Sequence, residues 1–270
     1  MTIPTRTATP ERTTTRAETT ARTRTPMSPM RKAALIAGVA YLATFVFSIP
    51  VKFGFWADVL AKPNFVLGDG SAAGVPIGAL FEVLTGLGGV VSAVALYTIA
   101  KRYSHRAALG FVTTRVLEAA MIFVGVLSIL SVYTLRHDVA GTAGADTGAL
   151  VTTGHALVAM HDWTFLLGPG LMPALNALLI GSVMYRSRLL PRWIPTLGLI
   201  GAPLLLATWA ATLFGVWDQI SAPSALLTFP IAVWEFSFGI YMTVKGFKPT
   251  AVSEASFAPV NSAIFAEAAA

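Results

Sequence analysis

The chain has 270 residues, of which 55% are hydrophobic and 12% charged, with a net charge of +6. Soluble domains carry roughly 25% charged residues, so much of the usual solubilising charge is missing, and mean hydropathy is +0.69. The absence of cysteine excludes disulfides, thiolate nucleophiles, thiolate zinc sites and cysteine-ligated iron–sulfur clusters. Collagen, disulfide scaffolds and wholesale disorder are excluded by composition, which predicts an all-α, polytopic transmembrane helix bundle.

Residues 1–30 are rich in Thr, Arg and Pro, with Glu11 and Glu18 as their only acids. They lack hydrophobic periodicity and are expected to form a disordered cytoplasmic tail. Arg6, Arg12, Arg16, Arg22 and Arg24 suit solvent or anionic lipid headgroups. No nucleic-acid partner is expected, because the excess charge sits at one end and in short loops. A transmembrane domain is expected over 31–247, followed by a loosely ordered cytoplasmic tail over 248–270. The first apolar run follows Arg31-Lys32 and reaches Pro50 without a small-residue cleavage signal, so it reads as a retained anchor.

A membrane-crossing helix needs about 20 largely apolar residues. Six segments qualify, over 33–49, 75–100, 107–135, 163–185, 193–216 and 225–244. Their apolar character is continuous rather than alternating, which excludes barrel strands of about ten residues. Loop charges then set direction. Arg31, Lys32, Lys101, Arg102, Arg106, Arg186, Arg188, Arg192, Lys245 and Lys248 fall on one side, against Lys52, Lys62 and Arg136 on the other. Cytoplasmic loops are enriched in Lys and Arg, so both termini are expected in the cytoplasm. Trp56, Trp193 and Trp217 fall where an interfacial aromatic belt is expected. Residues 150–160 are expected at the outer surface, and Gly168-Pro169-Gly170 with Pro173 should kink or unwind the fourth span.

The informative residues are those a bilayer rejects, since an ionised group at mid-membrane costs from about 2.5 to over 10 kcal/mol. Arg115 and Glu118 are three positions apart and therefore neighbours on one helix surface. Helical arithmetic places Thr114, Glu118, Met121, Gly125 and Ser128 on one face, and Gly78, Glu82, Gly86, Gly89 and Ala93 on a stripe of the preceding span. Thr228, Glu235 and Gly239 align in span six, and Asp162, Pro169, Pro173 and Asn176 in span four. Glu82, Arg115, Glu118, Asn176 and Glu235 are thus expected to converge on a polar core. Arg115 should be held by Glu118 or Glu235, while Glu82 lies nearer the outer face. Such a core either holds a proton, ion or small ligand, or acts only as interhelical glue.

On the outer side, His155, His161 and Asp162 stand near His137 and Asp138. No H-x-x-x-H or H-E-x-x-H spacing is present, so an interfacial role is expected and no metal site. No cofactor is expected either. The paired histidines haem needs, a phosphate-binding glycine loop and a G-x-S-x-G elbow are all missing.

Several stretches carry a resemblance. Arg31-Lys32-Ala33-Ala34-Leu35-Ile36-Ala37-Gly38 opens the first span, and Arg115-Val116-Leu117-Glu118-Ala119 lies in the third. Leu167-Gly168-Pro169 leads to Asn176 and then to Tyr185-Arg186-Ser187-Arg188-Leu189-Leu190-Pro191-Arg192-Trp193. Trp234-Glu235 and Gly239-Ile240-Tyr241 run into Lys245-Gly246-Phe247. In order and spacing the chain resembles the bacterial integral-membrane family catalogued as domain of unknown function 4386, over roughly 31–247. The resemblance implies a six-span protein of the bacterial cytoplasmic membrane and carries no activity, substrate or catalytic residue to transfer. A binding or accessory membrane protein is the leading functional expectation. A small proton- or ion-coupled transporter is the alternative, and an intramembrane enzyme ranks third for want of a nucleophile–base or metal-ligand constellation.

The charge pattern makes a direct prediction. In this cysteine-free chain, single cysteines replacing Ser104 and Ala143 should label from opposite sides of the membrane with an impermeant thiol reagent. Labelling of both from outside intact cells would overturn the six-span topology.

Overall fold

The computed structural model describes residues 27–248. The expectations for 1–26 and 249–270 lie outside the described residues. Within them the chain is helical, and six helical stretches are long and apolar enough to cross a membrane: Pro29–Phe55, Val75–Ala100, His105–Val139, Thr147–Ser187, Trp193–Leu213 and Ala222–Val244. The chain is a multi-pass membrane protein.

The first span is helix α1 (Pro29–Pro50), opened by Ser28, whose hydroxyl accepts from the Arg31 amide, and by a proline in its first turn. It passes through a π-helical turn, Val51–Phe55, into the short α2 (Ala57–Ala61). Helices α3 (Val75–Ala100) and α4 (His105–Thr134) form an antiparallel pair, α4 being capped by the Ser104 hydroxyl. Span four comprises α5 (Thr147–Leu167), α6 (Met172–Asn176), a π-helical turn Ala177–Gly181 and α7 (Ser182–Ser187). Helices α8 (Trp193–Leu213) and α9 (Ala222–Val244) complete the bundle.

Helix α5 starts at Thr147, well before the apolar run expected from 163. Asp146 caps it by accepting from the Ala149 amide. The polar first turns are held by tertiary contacts: Gly154 packs on Val66, and His155 Nε2 lies 2.8 Å from the Pro63 carbonyl. Residues 150–160 are therefore a helical extension packed on the 57–74 segment.

The expected break in span four is present. Pro169 has no N–H to offer the Phe165 carbonyl, which accepts instead from Gly170, and a turn separates α5 from α6. Gly168 lets this turn press on α4, since a Cβ there would fall 2.7 Å from Met121 Cβ.

Helices α8, α9, α1, α3 and α4 pack in that sequence around the bundle. Helix α6 and its π-helical turn pack against both α4 and α8, while α5 lies along α4. The end where α1 begins and α9 finishes is here termed the terminal end. There Arg31 donates to the carbonyls of Met242, Thr243 and Val244, satisfying the last turn of α9. At the opposite, far end, Arg136 donates to the carbonyls of Phe65, Gly68, Asp69 and Gly70 and lies over the Phe65 ring. In the same loop Asp58 accepts from the Ser71 amide and pairs with Lys62, and those bonds hold its carboxyl below the usual carboxylate range.

Two apolar cores result among the described residues. One, toward the terminal end, includes Tyr41, Leu96, Phe111, Ile180, Ile194, Trp234 and Phe238; the other, toward the far end, includes Val51, Trp56, Phe65, Val75, Ile129 and Val132. Trp56 corrects the aromatic-belt expectation. It is 2% exposed, and its indole N–H donates to the Val75 carbonyl. Trp193, by contrast, is exposed at a span end as a belt residue should be.

Helices α1 and α9 cross closely at Gly38. A Cβ on Gly38 would meet the Thr243 amide nitrogen at 2.6 Å and the Gly239 carbonyl at 2.8 Å. Because those atoms are backbone, Gly38→Ala must push the helices apart, at a cost near the upper end of the roughly 1–3 kcal/mol typical of overpacking. A lowered melting temperature in detergent, with Gly54→Ala unchanged as the control in open space, is the expected result.

Candidate functional site

Along α4, the terminal-end core contributes Ala108 and Phe111 and the far-end core contributes Ile122, Val126 and Ile129. The polar residues Thr114, Arg115 and Glu118 occupy the interval between them. Arg115 is 5% exposed. Its Nη1 donates to Glu118 Oε2 at 3.0 Å, and its Nη2 to Glu235 Oε1 on α9 at 2.9 Å. Its guanidinium also lies over the Tyr41 ring of α1, 4.7 Å from the centroid. One cation thus ties together α1, α4 and α9.

Asn176, at the end of α6, extends the cluster. Its Nδ2 donates to Glu118 Oε2 at 3.0 Å, and its Oδ1 accepts from the Thr114 hydroxyl. The break at 168–171 brings this residue in: α6 restarts beside α4 and delivers Asn176 fully buried against Glu118. Four of the five expected core residues therefore meet in one hydrogen-bonded group. Glu82 does not touch Arg115 and faces the same space from α3.

That space is a cavity of about 310 Å³. Arg115, Glu118 and Glu235 line it deep in the bundle, and Glu82, Lys52 and His161 line it nearer the far end. Phe45, Trp56, Ile122, Phe165 and Pro169 supply much of the remaining wall. Small residues create the room: Gly86 and Gly89 on α3 line the cavity, and a Cβ on Gly89 would be 3.8 Å from Arg115 Cδ. A second cleft of about 490 Å³ lies between α5 and the α8–α9 connection, lined by Asp162, Leu166, Thr212 and Asp218 among others. Lys52 borders both clefts, with its Nζ 4.9 Å from the Phe165 ring centroid.

The outer-side candidates separate. His161 is buried against Trp56 and Phe165 in the cavity wall, with Nδ1 3.1 Å from Asp162 Oδ1. Asp162 itself is exposed and belongs to the second cleft, so the expected alignment of Asp162 with Asn176 does not form; the turn at 168–171 breaks the helical phase between them. His155 stays with the Pro63 carbonyl, and His137 lies against the Tyr133 ring. Among the described residues, no group of three or more His, Asp or Glu side chains is placed to hold a metal ion.

Two contributors were not singled out from sequence. Lys52 follows Pro50 and reads as a loop charge, but the π-helical turn carries it to the cavity rim. Tyr41 sits in an apolar run whose pattern it does not break. Only the depth it shares with Arg115 along the bundle signals it.

A family described as Domain of unknown function (DUF4386) matches residues 36–246, and the chain belongs to that family. No curated protein and no solved structure matches the chain.

Proposed function

We propose that this member of the DUF4386 family is a small-molecule-binding protein of the bacterial cytoplasmic membrane, with both termini in the cytoplasm. The single observation that supports binding is that the Arg115–Glu118–Glu235 group is not sealed. An ion pair serving only as interhelical glue is best surrounded by packed apolar side chains, because any remaining lone pair costs desolvation. Here all three charged residues border a cavity of about 310 Å³. That is the lower end of the roughly 300–1,000 Å³ range of small-molecule pockets. Mostly apolar walls with a few convergent polar groups are what such pockets use for affinity and orientation. The orientation rests on the Lys and Arg excess at the terminal end, where Arg31, Lys101, Arg106, Arg186 and Lys245 lie at helix ends or in the connecting loops.

A proton- or ion-coupled carrier is the second reading, and the interrupted span four favours it. Discontinuous helices line substrate sites in many carriers, and Pro169 and Pro173 both line the cavity beside this break. Solute or proton flux in reconstituted liposomes separates carrier from binder.

The binding reading has a direct test in the cysteine-free chain. Thr44 lines the cavity, whereas Val46, two residues along α1, is 64% exposed on the bundle's outer surface. Thr44→Cys should react with a small water-soluble thiosulfonate reagent, and Val46→Cys, facing lipid, should not. An unreactive Thr44→Cys would show a sealed cluster and remove the basis for a binding function.

A further inference from the structure

We propose that the ligand of this cavity is a small organic cation, a compact ammonium-type charge on an apolar body, seated with its charge against Glu118 and Glu235; this rests on the binding reading above. Charge balance is the first support. Lys52 and Arg115 face Glu82, Glu118 and Glu235 around the cavity, so the lining carries one formal negative charge in excess with histidine neutral. In a low-dielectric site, one added cation balances that excess and an anion adds to it.

Hydrogen-bond occupancy is the second support, and it is independent of the count. Arg115 and Asn176 both donate to Glu118 Oε2, and Arg115 donates to Glu235 Oε1. Among the described residues, Glu118 Oε1 and Glu235 Oε2 receive no hydrogen bond, although Glu118 is buried. The cluster therefore presents spare anionic acceptors. Both terminal nitrogens of Arg115 are already committed to carboxylates, while its Nε and the Tyr41 hydroxyl are buried without a hydrogen-bond partner, so it is the charge balance of the lining that sets the sign of the ligand.

The wall sets the rest of the molecule. Phe45, Phe53, Trp56 and Phe165 offer aromatic surface, which suits an apolar body and the rim of a cation. Toward the far end the cavity has an apolar rim of Ile49, Phe53 and Ile220, respectively 54%, 74% and 63% exposed. A cation with an apolar body partitions toward that surface, whereas a bare inorganic ion does not.

The experiment compares three compounds of similar size on the purified full chain in neutral detergent: benzylammonium, its uncharged isostere ethylbenzene, and benzenesulfonate. Binding is read as a saturable rise in melting temperature. Benzylammonium should bind at least about tenfold more tightly than either control, a difference of about 1.4 kcal/mol. Glu82→Gln, which leaves the Arg115 ion pairs intact, should weaken it several-fold. Lys52→Met, which removes a lining cation, should tighten it. Equal or tighter binding of ethylbenzene or benzenesulfonate would overturn the cation while leaving a ligand-binding cavity in place, as would insensitivity to both substitutions. Binding of none of the three would also overturn it, and the reactivity of Thr44→Cys then decides separately whether the binding reading survives.

Discussion

Arg115 cannot shed its proton at any relevant pH, and it stands between the two apolar cores of a membrane bundle. An unpaired arginine at that depth would cost several kcal/mol or more. The surrounding structure is arranged to prevent this. Glu118 answers from the same helix one turn away, Glu235 answers from α9, and the Tyr41 ring of α1 covers a guanidinium face. Each contact fixes where a neighbouring helix must sit, so the position of one charge constrains three spans.

The same requirement accounts for the unusual fourth span. A continuous helix through 147–187 would be about 60 Å long at 1.5 Å per residue, roughly twice the hydrocarbon thickness. Breaking it at Gly168 and Pro169 allows the far half to lie along α4 and the second half to pass between α4 and α8. The restart also delivers Asn176 to Glu118. The break leaves space beside the ion pair, and Gly89 on α3, where a Cβ would meet only Arg115 Cδ at 3.8 Å, keeps that space open. A cluster that merely cemented helices would gain from a larger residue at Gly89. The open wall is the feature that turns a structural ion pair into a candidate binding site.

The spans were legible because a bilayer imposes a length and forbids unpaired backbone groups, and five of the six expected segments coincide closely with helices. The break was legible because a proline has no N–H to give, whatever surrounds it. Arg115, Glu118 and Glu235 were legible because charges inside apolar runs are few and must meet. What the sequence did not reveal depends on tertiary packing. The helical turns before residue 163 carry only a short apolar stripe, with Leu150 buried and Leu157 and Val158 packed on the far-end core, and are received by Val66 and Pro63. Trp56 reads as a belt residue, yet the turn after Pro50 rotates it into the far-end core, and the same turn moves Lys52 to the cavity rim. A single irregular turn after the first span changed the role of both residues.

The most direct measurement is a pair of double-mutant cycles on thermal stability in detergent or bilayer, combining Arg115→Met with Glu118→Gln and with Glu235→Gln. Removing one member of a buried pair costs about 3–5 kcal/mol, and contacting residues couple by about 0.5–3 kcal/mol. Coupling in both cycles, with Arg115→Met partly rescuing each glutamine variant, is the predicted result. Strict additivity in both would mean that Arg115 contributes nothing through these carboxylates, and the polar centre described here would not exist.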